Sequence, residues 1–353
     1  MAESDPWLPD VLGGDWVART VPLLPDDDGE VVATLVTRRA TLDARAATYR
    51  PDQPGWPDPP DRPDRPVVLY IHGFVDYFFQ THLAAHLAAH GLDLVAIDLH
   101  GYGRSLLPHQ TPNFCMDLRE YGEELAAATR ILREELGCQR LVLMGHSTGG
   151  LLAALWAHSA TGRATVDALV LNSPFLDLNR PFVDRVVGTA LLDVVGGRAR
   201  YVVVKHAPSE YSRSLHRESG GEWEYDRRLK PPEGFAVLAG WLRAIRSGQA
   251  RLARGLDLDC PVLVCASTRS GPNRADNPDL NRCDVILDVA QIVARAPALG
   301  SDVTVVQIEG GIHDLALSPE PARSAYLAAV VDWLAQHGLG EATASGLGGS
   351  RRV

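Results

Sequence analysis

The segment Leu141-Val142-Leu143-Met144-Gly145-His146-Ser147-Thr148-Gly149-Gly150 leaves few folds open to this chain. Its first four residues read as a short buried strand, and Leu151 to His158 as an apolar helix. Between them a serine stands in the pattern G-x-S-x-G. Turning a strand into a helix within so few residues forces that serine into an unusual backbone conformation. A Cβ at Gly145 or Gly149 would clash beside it. The helix N-terminus behind the serine offers free N–H groups that can face a developing negative charge. In a chain with 32 glycines the five-letter pattern alone is weak. The strand before it and the helix after it give it force.

Strand and helix alternate around this segment. Residues 16–21 and 30–37 read as a hairpin, turned by Pro25-Asp26-Asp27-Asp28-Gly29. Residues 50–66 are dense in proline and aspartate and read as an exposed connection. Strands follow at 67–71, 92–99, 141–144 and 166–171. A helix opened by Asp76 and ending near His90, and an amphipathic helix capped by Asp117 and running to Leu136, lie between them. This rhythm predicts a mostly parallel sheet with helices on both faces. It breaks after Pro174 and resumes with strands at 261–266 and 303–308, a helix over 285–294 and a closing helix over 319–337. The expected organisation is therefore a core of residues 1–174 and 256–337, an inserted cap over 175–255, and a mobile tail over 338–353.

A serine hydroxyl is a weak nucleophile unless a base lies within hydrogen-bond reach and an acid orients that base. In such a sheet these groups gather beyond the C-terminal ends of the strands. His313 fits the base. It follows strand 303–308 in the loop Glu309-Gly310-Gly311-Ile312-His313-Asp314, although a surface histidine in a turn would look the same. Asp284 is the chosen acid. It stands before the 285–294 helix, where it could equally serve as an N-cap, and Asp276 and Asp279 remain alternatives. An oxyanion hole would draw on the backbone N–H groups of Thr148 and Phe74, the latter in the loop after strand 67–71.

Other residues carry blander readings. His72 reads as a loop hydrogen-bonder, and His146 as a neighbour of the serine. Tyr77, Phe78 and Phe79 read as an acyl pocket or as core. His82, His86 and His90 recur every four residues without interleaved carboxylates, which makes them a helix surface before a metal stripe.

Composition narrows the function further. The net charge of −10 and pI near 5.6 argue against a nucleic-acid partner. No apolar run is long enough to span a membrane, and residues 1–10 lack the apolar core of a signal peptide. The five cysteines, Cys115, Cys138, Cys260, Cys265 and Cys283, match no zinc spacing; Cys260 and Cys265 read as members of one strand. Reduced thiols and a cytoplasmic location are expected. Lys205 and Lys230 are the only lysines in an arginine-rich chain, read here as coding bias. Oligomeric state is not encoded in any of these features.

The segments His72-Gly73-Phe74, Asp98 to Ser105, Gly145 to Gly149 and Gly310-Gly311-Ile312-His313, in this order, resemble the alpha/beta-hydrolase superfamily. Within it the chain is most similar to the monoacylglycerol lipase, lysophospholipase and serine aminopeptidase-like branch. The order Ser147, Asp284, His313 and the 29-residue step from acid to histidine match that branch. Asp288, four residues after Asp284, adds to the match. The resemblance implies an eight-stranded, doubly wound, mostly parallel sheet with a helical cap after the sixth strand. It implies a serine hydrolase, esterase- or lipase-like, acting on a small-molecule carboxylic ester or acyl substrate and needing no metal or cofactor. Amidase, peptidase, thioesterase, lactonase and acyltransferase chemistry would use the same residues, and a binding module without activity could share the fold. One departure stands out: the polar segment 267–283 is longer than the loop that usually precedes the acid.

Overall fold

Val67, Leu69 and Ile71 pack into one apolar cluster, and Val68 and Tyr70 into another. Alternation along a single strand thus feeds two cores, one on each face of a sheet. The computed structural model describes residues 5–47, 65–178, 199–205 and 209–343, and the backbone of 351–352. Most of the expected 50–66 connection, part of the expected insertion and half of the expected tail lie outside the described residues.

The sheet holds β1 (Leu8–Pro9), β2 (Trp16–Pro22), β3 (Val32–Arg38), β4 (Val67–Ile71), β5 (Asp93–Asp98), β6 (Leu141–His146), β7 (Ala168–Asn172), β10 (Val262–Ser267), β11 (Val303–Ile308) and β12 (Arg351–Arg352). Their spatial order is β1-β2-β3-β5-β4-β6-β7-β10-β11-β12. From β5 across to β11 every neighbouring pair is parallel. The β2–β3 and β3–β5 pairs are antiparallel. All eight strands read from the sequence are present. The sheet counts ten because two-residue strands extend it at each edge, too short to leave a periodic signal.

One face is covered by α3 (Gly122–Arg130), α4 (Thr148–Ala157), α7 (Ala239–Ala253) and α8 (Val289–Arg295), the other by α2 (Thr81–Ala89) and α9 (Ala322–Gln336). Helix α4 buries residues all round, so its apolar sequence follows from being enclosed rather than from one wet face. Asp117 does cap its helical segment, accepting from the Arg119 N–H at 2.9 Å in a capping box with Glu120.

Several boundaries differ from expectation. Helix α2 begins at Thr81, not at Asp76, because residues 72–80 form a loop whose polar groups are used elsewhere. Helix α8 begins at Val289 and is capped by Asp288, not Asp284. Cys260 precedes β10 rather than lying in it. The expected insertion contains α6 (Glu210–Leu215), α7 and a short antiparallel pair, β8 (Val203–Lys205) with β9 (Val237–Leu238). It is therefore not wholly helical. Its last helix contributes Trp241, Ala244, Ile245 and Leu252 to the same apolar cluster as α4.

Candidate active site

Ser147 sits between β6 and α4 with φ +53° and ψ −116°, a region non-glycine residues rarely occupy. The turn survives because its neighbours over-determine it. The Ser147 N–H donates to the Asn172 carbonyl at 3.0 Å, and its carbonyl accepts from the Gly150 and Phe175 N–H groups at 3.0 and 2.9 Å. A Cβ on Gly149 would lie 2.2 Å from the His72 carbonyl oxygen, and one on Gly145 2.5 Å from that of Gly149. The elbow therefore packs backbone against backbone, as the glycine pattern requires.

His313 lies in the loop after β11. Its Nε2 is 3.0 Å from Ser147 Oγ and its Nδ1 is 3.0 Å from Asp284 Oδ2. All three side chains are buried. The other Asp284 oxygen accepts from the Ile286 and Leu287 N–H groups, both at 2.8 Å, which fixes the carboxylate plane. An imidazole held this way carries its proton on Nδ1 and presents an unprotonated Nε2 to the hydroxyl.

The long segment before Asp284 does not displace it. The Asp284 N–H donates to the Arg269 carbonyl at 3.0 Å, and the Gly271 N–H to the Asp284 carbonyl at 2.9 Å. Residues between them leave and return as a closed excursion, so the acid stands beside Ser270, just past the end of β10. Asp276 and Asp279 stay out on this excursion, paired with Arg274 and Arg269 at the surface.

The loop after β4 approaches the serine from the other side. A Cβ on Gly73 would lie 3.2 Å from Ser147 Cβ. Among the described residues the Phe74 and Thr148 N–H groups have no acceptor, so both remain available. Phe74 stacks on Trp241 at 4.3 Å between ring centroids. Val75 has φ +51°, and its N–H donates to Asn113 Oδ1 at 3.1 Å.

Sequence reasoning missed a buried polar layer behind these groups. Asp76 does not cap a helix; it pairs with Lys230 Nζ at 2.5 Å, both side chains buried. Asp314 accepts from Asn172 Nδ2 at 2.7 Å and Gln80 Nε2 at 3.0 Å, and its own N–H donates to Tyr211 Oη at 2.9 Å. Burial works against the Asp314 charge. The neighbouring His146 ring, the Gln80 amide, the Lys230 ammonium and the Asn172 amide outweigh it and hold the carboxyl below its usual range. The His146 ring lies tilted against that of His313, 4.8 Å between centroids, and donates from Nδ1 to the Asn172 carbonyl; burial lowers its pKa. His72 accepts from the Leu99 N–H through Nε2 and donates from Nδ1 to the Gly73 carbonyl. The one available signal was Lys230 itself, a lysine kept in an arginine background.

Asp76, His146 and Asp314 present possible ligand atoms within 4.8 Å of one another. The Lys230 ammonium already sits against this cluster and supplies the positive charge a metal would bring. Elsewhere, His82 contacts the Ala316 carbonyl, while His86 and His90 stack on each other. Tyr77, Phe78 and Phe79 are all buried, the first and last beside the Lys230 segment. No helix among the described residues is long and apolar enough to cross a membrane.

The sequence model of the family described as serine aminopeptidase, S33, matches residues 62–268. Human 1-acylglycerol-3-phosphate O-acyltransferase is 27% identical over 202 residues, which are 50% of this chain and 55% of that protein. The chain thus aligns with about half the length of the curated relatives it matches. Among solved structures, a soluble variant of monoglyceride lipase from Saccharomyces cerevisiae, bound to a substrate analogue, has a TM-score of 0.59 at 15% identity. It covers 90% of this chain and 94% of its own. The monoacylglycerol lipase of Paleococcus ferrophilus has a TM-score of 0.57 at 21% identity and covers 78% and 96%. These likenesses show the fold.

Proposed function

Since the chain belongs to the serine aminopeptidase S33 family of alpha/beta-hydrolases, we propose that it cleaves a carboxylic ester through an acyl-enzyme on Ser147. The observation that carries this reading is the relay in which His313 touches Ser147 through Nε2 and Asp284 through Nδ1, each at 3.0 Å. Ser147 Oγ attacks the carbonyl carbon while His313 Nε2 takes its proton. Asp284 stabilises the resulting imidazolium and keeps the ring in register. The carbonyl oxygen, now negative, accepts from the Phe74 and Thr148 N–H groups. Collapse expels the alcohol, which takes the proton from His313. Water, deprotonated by the same nitrogen, then releases the acid and frees the serine.

Two observations favour an ester over an aminoacyl peptide. An aminopeptidase has to hold a cationic α-amino group, and Asp76 and Asp314, the carboxylates beside His146, are already engaged by Lys230 and by Gln80 and Asn172. The acylglycerol chemistry in the names of the similar lipases and of the acyltransferase points the same way. Residues 175–255 read as the cap over this site, between core segments 1–174 and 256–337. The five cysteines, all free thiols, suit a cytoplasmic setting. A fluorophosphonate probe should label Ser147. A series of nitrophenyl esters of rising chain length should be hydrolysed while aminoacyl anilides are not. Hydrolysis of neither class, or of the anilides alone, overturns the proposal.

A further inference from the structure

The segment from Tyr211 to Lys230 touches both loops of the proposed site. At one end Tyr211 Oη accepts from the Asp314 N–H, next in sequence to His313. At the other end three contacts meet the loop after β4. Lys230 Nζ pairs with Asp76 at 2.5 Å, Tyr77 Oη accepts from the Asp226 N–H at 2.7 Å, and Phe79 packs on Tyr225 at 4.9 Å. Only the first of these is a charge pair, and it is buried on both sides. The Lys230 ammonium lies 5.2 Å from the Phe79 ring centroid and 5.8 Å from that of Tyr225, so two aromatic rings flank the pair on one side.

Asp76 is also the residue after Val75, and Val75 is strained. A β-branched residue with φ +51° persists only where its surroundings hold it there. On one side the hold is Asn113, which accepts from the Val75 N–H. Further along, Arg104 grips the Phe78 carbonyl and Asp98. Between these anchors Asp76 is fixed by Lys230. The strained turn directly follows Phe74, the residue whose N–H is assigned to the oxyanion hole above.

We propose that Lys230 is a positioning residue for the oxyanion hole: its ammonium, carried on the 211–230 segment, locks Asp76 and thereby the Phe74–Val75 turn. Docking of that segment and assembly of the oxyanion hole are then one event. This rests on the oxyanion role assigned to Phe74 above. The site is filled by a lysine, a compact point charge, one of two in an arginine-rich chain.

The test uses the full chain with K230M, K230R and the paired variant K230M/D76L, which removes both charges and leaves neither buried alone. Folding is read first by thermal unfolding, then kcat and KM on a short nitrophenyl ester. Affinities follow for a trifluoromethyl ketone, which forms an oxyanion on Ser147, and for a non-reactive ether analogue. K230M is expected to lower kcat by about 10- to 100-fold with KM changed less than about threefold. Ketone affinity should fall in step while ether affinity stays. K230R should recover kcat to within about fivefold, and the folded paired variant should remain slow. A folded K230M or paired variant within about twofold of the parent kcat overturns the proposal, as does a loss confined to KM or a K230R as slow as K230M. Failure of the parent protein to react with fluorophosphonate at Ser147 would instead remove the underlying functional reading.

Discussion

His313 Nε2 and Ser147 Oγ stand 3.0 Å apart although 166 residues separate them in the chain. The sheet makes the meeting possible. Strands β6 and β11 run parallel with β7 and β10 between them, so their C-terminal loops open on the same edge. Replacing Ser147 by Ala or His313 by Asn is expected to lower kcat on a nitrophenyl ester by up to about a millionfold. Combining them should cost little more, because the groups act as a unit. Steady-state kinetics on the single and double variants, with thermal midpoints to confirm folding, measure this.

The acid can be tested against its rivals. Asp284 bonds Nδ1 of His313, whereas Asp276 and Asp279 are exposed and bound to arginines. D284N should reduce kcat about 10⁴-fold, since the amide favours the wrong imidazole tautomer. D276N and D279N should stay within about twofold of the parent, because both carboxylates pair with arginines at the surface and exposed pairs of this kind contribute little. Equal losses for D279N and D284N would contradict the assignment.

Gly149 tests the elbow independently of activity. Its missing Cβ would lie 2.2 Å from the His72 and 2.5 Å from the Ile71 carbonyl oxygens, both backbone atoms at the end of the central strand β4. Neither can move without breaking the sheet. G149A is therefore expected to destabilise by about 3 kcal/mol or more. G122A, at a helical position with nothing within 4 Å of the new methyl, should be neutral or stabilise by about 0.5 kcal/mol. Denaturant unfolding of the pair separates a packing effect from a generic glycine effect.

Local pattern and long-range pairing divide what could be read from the chain. Val67–Ile71 and Leu141–Met144 are continuous apolar runs, so burial on both faces of a parallel sheet was legible at once. The elbow was legible because steric demand writes itself into adjacent glycines. Asp284 was nominated by its place before the 285–294 helix, with the step to His313 matching the resemblance, but the excursion that returns it to Ser270 is closed by backbone hydrogen bonds that side-chain types do not encode. Asp76 misled for a similar reason. An aspartate before an apolar stretch looks like a helix cap, and its true partner, Lys230, lies 154 residues away. The same holds for Asn113, a loop residue whose side chain steadies Val75.

A last expectation concerns pH and a pair away from the proposed chemistry. His100 Nδ1 bonds Glu124 Oε1, and the His100 N–H donates to the other Glu124 oxygen at 2.9 Å, with the glutamate fully enclosed. Burial opposes the imidazolium, but the Glu124 charge and hydrogen bond outweigh it and raise the His100 pKa. The sign follows from linkage. A folded pKa above the unfolded value of about 6.5 gives stability that is fully present below about pH 6.5 and is lost as pH rises through the folded value. E124Q should therefore cost about 2 kcal/mol near pH 6. Its cost should shrink as pH rises through the folded pKa of His100, where the parent loses the charged pair. Unfolding free energies of parent and variant across this range check it. A difference that stays constant with pH would mean that the bond forms with a neutral imidazole and carries no proton linkage.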